Sequence, residues 1–250
     1  MRFLPRIKSR ADISGAATVP NPGPTAIELA SGQLLLRPAT HEDLPAISRA
    51  HVLLLPFGLF PSLGARFVRR WQRTFLDSRH GVGYVVVDAT AGPDELVGFL
   101  MGTSDQAEYT TGLMADRRTV ASLAVNGIAA LCVRPRVAAR LLRSRVRPWT
   151  QRLLHRRAAP VPARSVPAAQ VAVMTALAVR PDWRKSGIGE RLVEHFVEYV
   201  RAAGATWVEL QTSTGPLGAV GFYERLGWEA GSQRSTPDGD VIRTYHRVLR

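Results

Sequence analysis

The sequence predicts an α/β protein: a central mixed β-sheet flanked by helices, with a basic helical insertion before its most informative strand. Three observations predict it. Short apolar strands alternate with helical patterns along most of the chain. A continuous apolar strand, Val171–Val179, runs into a glycine-containing turn that opens a helix. One segment, 105–170, breaks that rhythm and carries most of the net charge.

Taken in order, residues 1–30 hold four Pro and four basic residues without helical or strand periodicity, and read as an extended or disordered leader. Residues 31–250 read as one domain, with the insertion at 105–170. Gln33–Arg37 is a short apolar strand. Thr40 is placed to cap a helix running to about Leu55, with Asp43 at the capping-box position. Ser62 opens a second helix, with Phe67, Trp71 and Phe75 at spacing four. Gly83–Asp88 and Glu95–Thr103 form a hairpin around Gly92-Pro93, and Gly98 and Gly102 inside it suggest a bulge or a close backbone approach.

Within the insertion, Arg117–Val133 reads as a helix. Arg136–Arg157 reads as a basic amphipathic helix, with Ala138, Leu142, Val146, Trp149 and Leu153 on one stripe and Pro148 dividing it. Beyond the strand Val171–Val179, Gly187–Ala203 is a helix with Ile188, Leu192, Phe196 and Val200 on its buried face. Thr206–Thr212 is a strand and Ala219–Leu226 a short helix. Trp228–Gln233 and Val241–Leu249 form a hairpin around Asp238-Gly239.

Composition excludes several classes. In 250 residues, 46% apolar and 21% charged, there is enough apolar side chain for a substantial core, and neither a disordered chain nor a collagen is compatible. The single cysteine, Cys132, rules out an internal disulfide and points to a reducing, cytoplasmic setting. The start of the chain has no continuous apolar stretch of a secretory signal. The uncharged apolar run Val120–Val133 falls short of the ~20 residues that span a bilayer, so no transmembrane segment is expected. The formal charge is +13. Residues 105–170 supply 12 Arg against Asp105, Glu108 and Asp116, a net of +9. Such a patch draws acidic small molecules, anionic lipid or nucleic acid, or is simply a solvated helix face. Aromatic residues do not interleave with its arginines, Trp149 apart, so nucleic acid is not expected as a partner.

The chemistry is carried by Val179-Arg180-Pro181-Asp182-Trp183-Arg184-Lys185-Ser186-Gly187-Ile188-Gly189-Glu190. The first N–H groups of a helix lack internal partners and carry the positive end of its dipole. Gly187 and Gly189 remove Cβ atoms so that a phosphate can approach the backbone, and Arg184 and Lys185 add charge. A strand–turn–helix whose glycines only ease packing has the same appearance. Gly81-Val82-Gly83 has the same spacing, yet a strand follows it. No third Gly completes a Rossmann fingerprint, and the chain contains no Walker A sequence.

Arg184-x-x-Gly187-x-Gly189, preceded by Val179-x-Pro181, resembles the acyl-CoA-binding motif of the GNAT superfamily of N-acetyltransferases. The stretch Ala219-x-x-Phe222-Tyr223-Glu224-Arg225-Leu226-Gly227-Trp228 is similar to that family's C-terminal segment. Leu36-Arg37-Pro38-Ala39-Thr40-x-x-Asp43-Leu44 is similar to its first strand and helix. The resemblance covers residues 33–104 and 171–249. It implies a sheet splayed between two strands, with acetyl-CoA entering the splay as cosubstrate. Leu177, Ala178 and Val179 would pair with the pantetheine arm. The backbone N–H groups of Lys185, Ser186, Gly187, Ile188, Gly189 and Glu190 would hold the pyrophosphate beside Arg184. Tyr223 would lie near the thioester sulfur as general acid.

The implied reaction is direct acyl transfer, in a ternary complex, to a primary amine of a small molecule, acidic or amino-sugar-like if the insertion's arginines receive it. A catalytically inert CoA-binding module is the alternative. Its motivation is a departure from the family: Val171–Val179 carries no carboxylate to act as base, and Thr175 is no strong base. A backbone N–H near Val179 is expected to face the oxyanion. Glu209, Asp105, Glu108, a water chain, or no base at all for an amine of low pKa remain open, and His51 falls on the helix that lines the acceptor pocket in this family. The six histidines have no metal-ligand spacing, so no metal is expected. A homodimer remains open.

Overall fold

A computed structural model describes residues 25–29, 32–56, 58–89, 95–135, 137–139, 169–216, 218–236 and 239–249. Their eight strands form one sheet in the order β1-β2-β3-β4-β5-β6-β8-β7. The strands are β1 (Thr25–Leu29), β2 (Gly32–Pro38), β3 (Gly81–Asp88), β4 (Leu96–Thr103), β5 (Val171–Val179), β6 (Trp207–Ser213), β7 (Glu229–Ser235) and β8 (Val241–Val248). All neighbours are antiparallel except β5 and β6. Within the leader expected over 1–30, Thr25–Leu29 pairs with Gly32–Leu36 as an edge strand; residues 1–24 lie outside the described residues.

Helices cover both faces. α6 (Ile188–Ala202) lies on one, burying Ile188, Leu192, Val193, Phe196, Val197 and Val200 against Val82, Tyr84, Leu100, Ala172 and Met174. Burial of each such side chain is worth about 1.5–3 kcal/mol. The short α7 (Val220–Arg225) joins this face through Phe222 and Tyr223. On the other face sit α1 (Leu44–Leu54), α2 (Leu59–Ser62), α3 (Ala65–Leu76) and α4 (Gln106–Ala115). Ile47, Phe75 and Tyr109 pack there on Val85, Phe99, Met101, Ala176 and Ala178. α5 (Arg117–Cys132) has no fully buried residue and lies on α3 rather than on the sheet.

Two helix starts differ from expectation. α1 begins after Asp43, not after Thr40. Asp43 nevertheless reaches back to the Thr40 amide at 2.7 Å, half of the expected box, while Arg37 grips both its oxygens at 2.7 Å. Burial opposes ionisation of Asp43, but Arg37 and Thr40 outweigh it and hold the carboxyl below its ordinary range. The second helix starts at Ala65, because Gly64 adopts φ +90° and breaks the path from Ser62. Of the expected basic helix Arg136–Arg157, all but residues 137–139 lies outside the described residues.

The sheet parts at its centre. β5 pairs with β6 only from Val171↔Trp207 to Met174↔Leu210. Beyond that rung β5 continues on β4 to Val179↔Gly98, and β6 continues on β8 to Ser213↔Ile242. The two strands leave a gap between them.

Candidate active site

A bulge shapes the mouth of the gap. Met101 faces Ala176 and Gly102 faces Met174, so Thr175 has no partner in β4. One extra residue reverses the alternation of a strand. Ala172 and Met174 point to the α6 face, Ala176 and Ala178 to the α1 face, and Leu177 and Val179 back to α6. Gly102 permits this: a Cβ there would lie 2.5 Å from the Val173 carbonyl oxygen and 2.8 Å from the Phe196 ring. Gly98 is similarly close to the Ala178 carbonyl, at 3.1 Å.

Past Met174, the edge of β5 that faces away from β4 pairs with no strand among the described residues. Leu177, Ala178 and Val179 lie on this open edge, opposite Leu100, Phe99 and Gly98. The main-chain groups that alternate residues here turn away from β4 can bond to an extended arm as a neighbouring strand would, the Val179 carbonyl being already engaged by Arg184.

The strand ends in a tight, charged turn. Pro181–Trp183 forms one turn of 3₁₀ helix, and Ser186 Oγ donates to the Trp183 carbonyl at 2.6 Å. Lys185 takes φ +65°, a left-handed conformation uncommon outside glycine, and Gly187 follows at φ +84°. Two nearby left-handed residues turn consecutive N–H groups to one side. Among the described residues, no N–H from Lys185 to Glu190 donates to a backbone carbonyl; that of Arg191 donates to Gly187 at 3.0 Å. These are the orphan donors of the α6 N-terminus, in an anion-holding geometry. A Cβ on Gly189 would lie 3.4 Å from the Phe222 ring, so the turn runs beside α7.

The charged residues divide. Arg180 is engaged by Glu95 and Asp182. Arg184 Nε donates to the Val179 carbonyl at 3.2 Å, so its guanidinium is folded back along the turn. Lys185 is exposed.

Tyr223 is 5% exposed. Its ring meets Phe222, Trp228 and Tyr245, and its hydroxyl approaches Met174 Sδ at 3.9 Å. The phenol thus sits at the last rung joining β5 to β6. Burial pushes its deprotonation well above the ordinary range, so it stays a neutral proton donor throughout physiological pH. Tyr245 beneath it is fully buried and donates to Glu224 at 2.9 Å.

The candidate bases are placed elsewhere. Asp105 caps α4, accepting from the amides of Ala107 at 3.0 Å and Glu108 at 3.1 Å. Glu108 is exposed on that helix. Glu209 lies between Val208 and Leu210, which face the α6 core, so it projects from the face opposite Tyr223. His51 is 5% exposed, stacks on Phe99 and contacts Gln72 through Nδ1 at 3.2 Å; burial lowers its pKa from 6.5 to about 4. It is a neutral core residue. The structural importance of Met174, Thr175 and Tyr245 escaped the sequence reading, in which only Gly98 and Gly102 hinted at the bulge. No group of His, Cys, Asp and Glu suited to a metal ion occurs among the described residues, and no helix there is long and apolar enough to cross a membrane.

Comparison with known proteins bears on this arrangement. Residues 153–228 match the sequence profile of the Acetyltransferase (GNAT) family. An uncharacterised N-acetyltransferase of Methanocaldococcus jannaschii is 37% identical over 81 residues, which are 32% of this chain and 32% of that protein; the match spans about a third of that relative's length. Arabidopsis thaliana NAA60, solved in complex with acetyl-CoA, superposes with a TM-score of 0.53 at 14% identity, covering 86% of this chain and 98% of that one. A GCN5-related N-acetyltransferase from Kribbella flavida superposes with a TM-score of 0.51 at 16% identity, covering 86% and 98%. The mixed sheet flanked by helices expected from the sequence is the fold these structures share. Profile and fold agree with the strand–turn–helix motif and the Tyr223 segment: residues 153–228 resemble the GNAT family, and the chain shares the fold of these acetyltransferase structures.

Proposed function

We propose that the protein is an acyl-CoA-dependent N-acyltransferase that moves the acetyl group of acetyl-CoA directly to a primary amine. The observation that carries this reading is the alignment of three parts along one gap: unpartnered amides at Lys185–Glu190, an open strand edge at Leu177–Val179, and a buried phenol at Met174. Pyrophosphate, pantetheine arm and thioester sulfur need these three in that order. The residues fit such a donor: the amides would hold its phosphates with Lys185 adding charge, the β5 edge would pair with its arm, and Tyr223 would meet the sulfur.

In the reaction the neutral amine nitrogen forms a bond to the thioester carbonyl carbon. The C–S bond breaks, the departing sulfur takes the Tyr223 hydroxyl proton, and the phenolate regains a proton from solvent. The amine's surplus proton leaves to solvent, since β5 carries no carboxylate. The chain's main contribution is to hold the two reactants together. The expected oxyanion donor near Val179 is reassigned. Val179 lies five residues past Met174, about 16 Å along an extended strand, too far from a sulfur at Tyr223. The N–H groups at the Thr175 bulge suit that role.

The acceptor we propose is a small-molecule amine. The first test is calorimetric titration with acetyl-CoA, CoA and ATP, followed by thiol-release assays on small amines and on peptides with free N-termini. Tight binding of acetyl-CoA over ATP, with turnover of small amines, supports the reading. Binding without turnover of any amine favours the inert module, for which the absent β5 carboxylate is the motivating observation. Turnover of peptides alone replaces the acceptor class. Absence of binding to any CoA species removes the donor site.

A further inference from the structure

Away from the gap, α3 presents Arg66, Arg69, Arg70 and Arg73 at spacings of three and four, a single stripe on the helix. Like charges so placed repel and weaken a helix unless acidic neighbours offset them. Here the offset is missing. Asp77 meets Arg73 at 3.3 Å but is shared with His41 at 2.8 Å. Among the described residues, Arg66 and Arg69 have no carboxylate partner. The chain that follows α5 supplies none either, since residues 136–168 contain no Asp or Glu.

The four arginines are exposed, as on a solvated face, but the face is not left wholly to solvent. α5 crosses it: Arg70 donates to Ser122 Oγ, Gly127 packs on Phe67, and Arg134 reaches over to the Ser62 carbonyl at 3.0 Å. The result is a cleft of about 790 Å³ between α3 and α5, closed below by the start of α1. That volume is in the range of small-molecule sites. One wall carries guanidinium groups. The other carries Thr119, Ser122 and Asn126; the Thr119 hydroxyl donates to Asp116 at 2.6 Å and the Asn126 amide to the Ser122 carbonyl at 2.7 Å, while Ser122 Oγ accepts from Arg70 and keeps its own proton to donate. Low-dielectric walls concentrate the field of such a stripe. Guanidinium forks pair bidentately with phosphate oxygens, and a hydroxyl with a proton to donate completes the shell.

The cleft is not the donor site. It opens at the end of the sheet where β2 finishes and β3 begins, on the α1 face. The Lys185–Glu190 turn is at the opposite end, beyond Val179, on the α6 face. We propose that the cleft between α3 and α5 is a second, phosphate-binding site, which takes a ligand bearing at least one phosphate group in the fork of Arg66, Arg69 and Arg73. This inference does not rest on the acyltransferase reading.

The test is calorimetric titration with inorganic tripolyphosphate, in parallel with sedimentation of the protein on phosphatidylcholine vesicles with and without phosphatidylserine. Both are run in the Gly187→Val background, so that the donor turn does not report. Replacing Arg66 and Arg69 together by Gln removes the fork from exposed positions. Asn126→Glu brings a carboxylate to the cleft from the other wall and guards against a local defect in α3. Each variant is expected to weaken binding about ten-fold or more, a difference of about 1.4 kcal/mol. An Arg201→Gln control on α6 is expected to change nothing. Loss in the tripolyphosphate arm assigns a soluble phosphate ligand, and loss confined to the vesicle arm assigns a lipid headgroup. Equal binding by all variants, or no binding in either arm, overturns the proposal.

Discussion

The Tyr223 hydroxyl lies 3.9 Å from Met174 Sδ, and Met174 is the last residue through which β5 pairs with β6. A proton donor therefore stands where the sheet opens, and burial keeps it protonated. Tyr223→Phe keeps the ring contacts with Phe222, Trp228 and Tyr245 and removes only the hydroxyl. The expected outcome is unchanged acetyl-CoA affinity with kcat lowered about 10²-fold, the scale of a lost general acid. Wild-type kcat is expected to show no loss from phenol ionisation up to roughly pH 10. Steady-state kinetics across pH, on any amine that turns over, checks both.

Gly187 needs its left-handed φ of +84°, although a Cβ there would meet nothing within 4 Å. Gly187→Val is thus expected to leave the packing intact while costing about 1–2 kcal/mol of backbone strain. Its larger effect falls on the amides around it, which would no longer converge. Calorimetry is expected to show loss of CoA binding, with circular dichroism unchanged and only a modest fall in Tm. Unchanged CoA affinity would sink the role given to this turn.

Gly102 is the structural counterpart of the bulge. A methyl group there collides with the Val173 carbonyl and the Phe196 ring, neither of which is a flexible side-chain end. Gly102→Ala is expected to destabilise the protein by roughly 1–3 kcal/mol, the cost of overpacking. Urea unfolding measures it. Gly112→Ala on α4, where nothing lies within 4 Å, is expected to be neutral or slightly stabilising.

His51 binds no proton in the folded protein until pH falls to about 4, against 6.5 for an ordinary histidine. The unfolded chain therefore takes up a proton first, and stability falls as pH drops from about 6.5 to about 4. The expected loss from this group is roughly 3 kcal/mol across that window. His51→Gln removes the titration. Unfolding free energies of both proteins at several pH values are expected to converge towards acid, and parallel curves would show that the imidazole is not desolvated.

Legibility followed the strength of the apolar pattern. Val171–Val179 appears where a continuous apolar run demands it, and α6 follows its spacing-four stripe. α4 was invisible because QAEYTTGLMA buries only Tyr109; its start is marked by Asp105, a residue equally readable as a candidate base. β1 was lost behind a proline-rich stretch, and its identity depends on pairing with β2, a tertiary event. At the site, the strand–turn–helix was readable from residue types and order, and the Tyr223 segment only through its resemblance to a family motif. The Thr175 bulge was not, because a register shift is a property of two strands and Gly102 alone does not say which partner slips.

Four residue pairs are a narrow waist for a sheet of eight strands. Five strands on one side and three on the other share no other main-chain ladder among the described residues. The molecule is in this respect two plates welded along a short line, with α6 and α7 clamped over the weld. A strand-like arm bonded to the open lip of β5 would lengthen the weld from four rungs towards nine, so that occupying the gap also completes the sheet. Ligand binding and stiffness are then one quantity. Slowed amide exchange from Ala176 to Val179 and at Trp207–Leu210 would register the donor's arrival before any chemistry occurs.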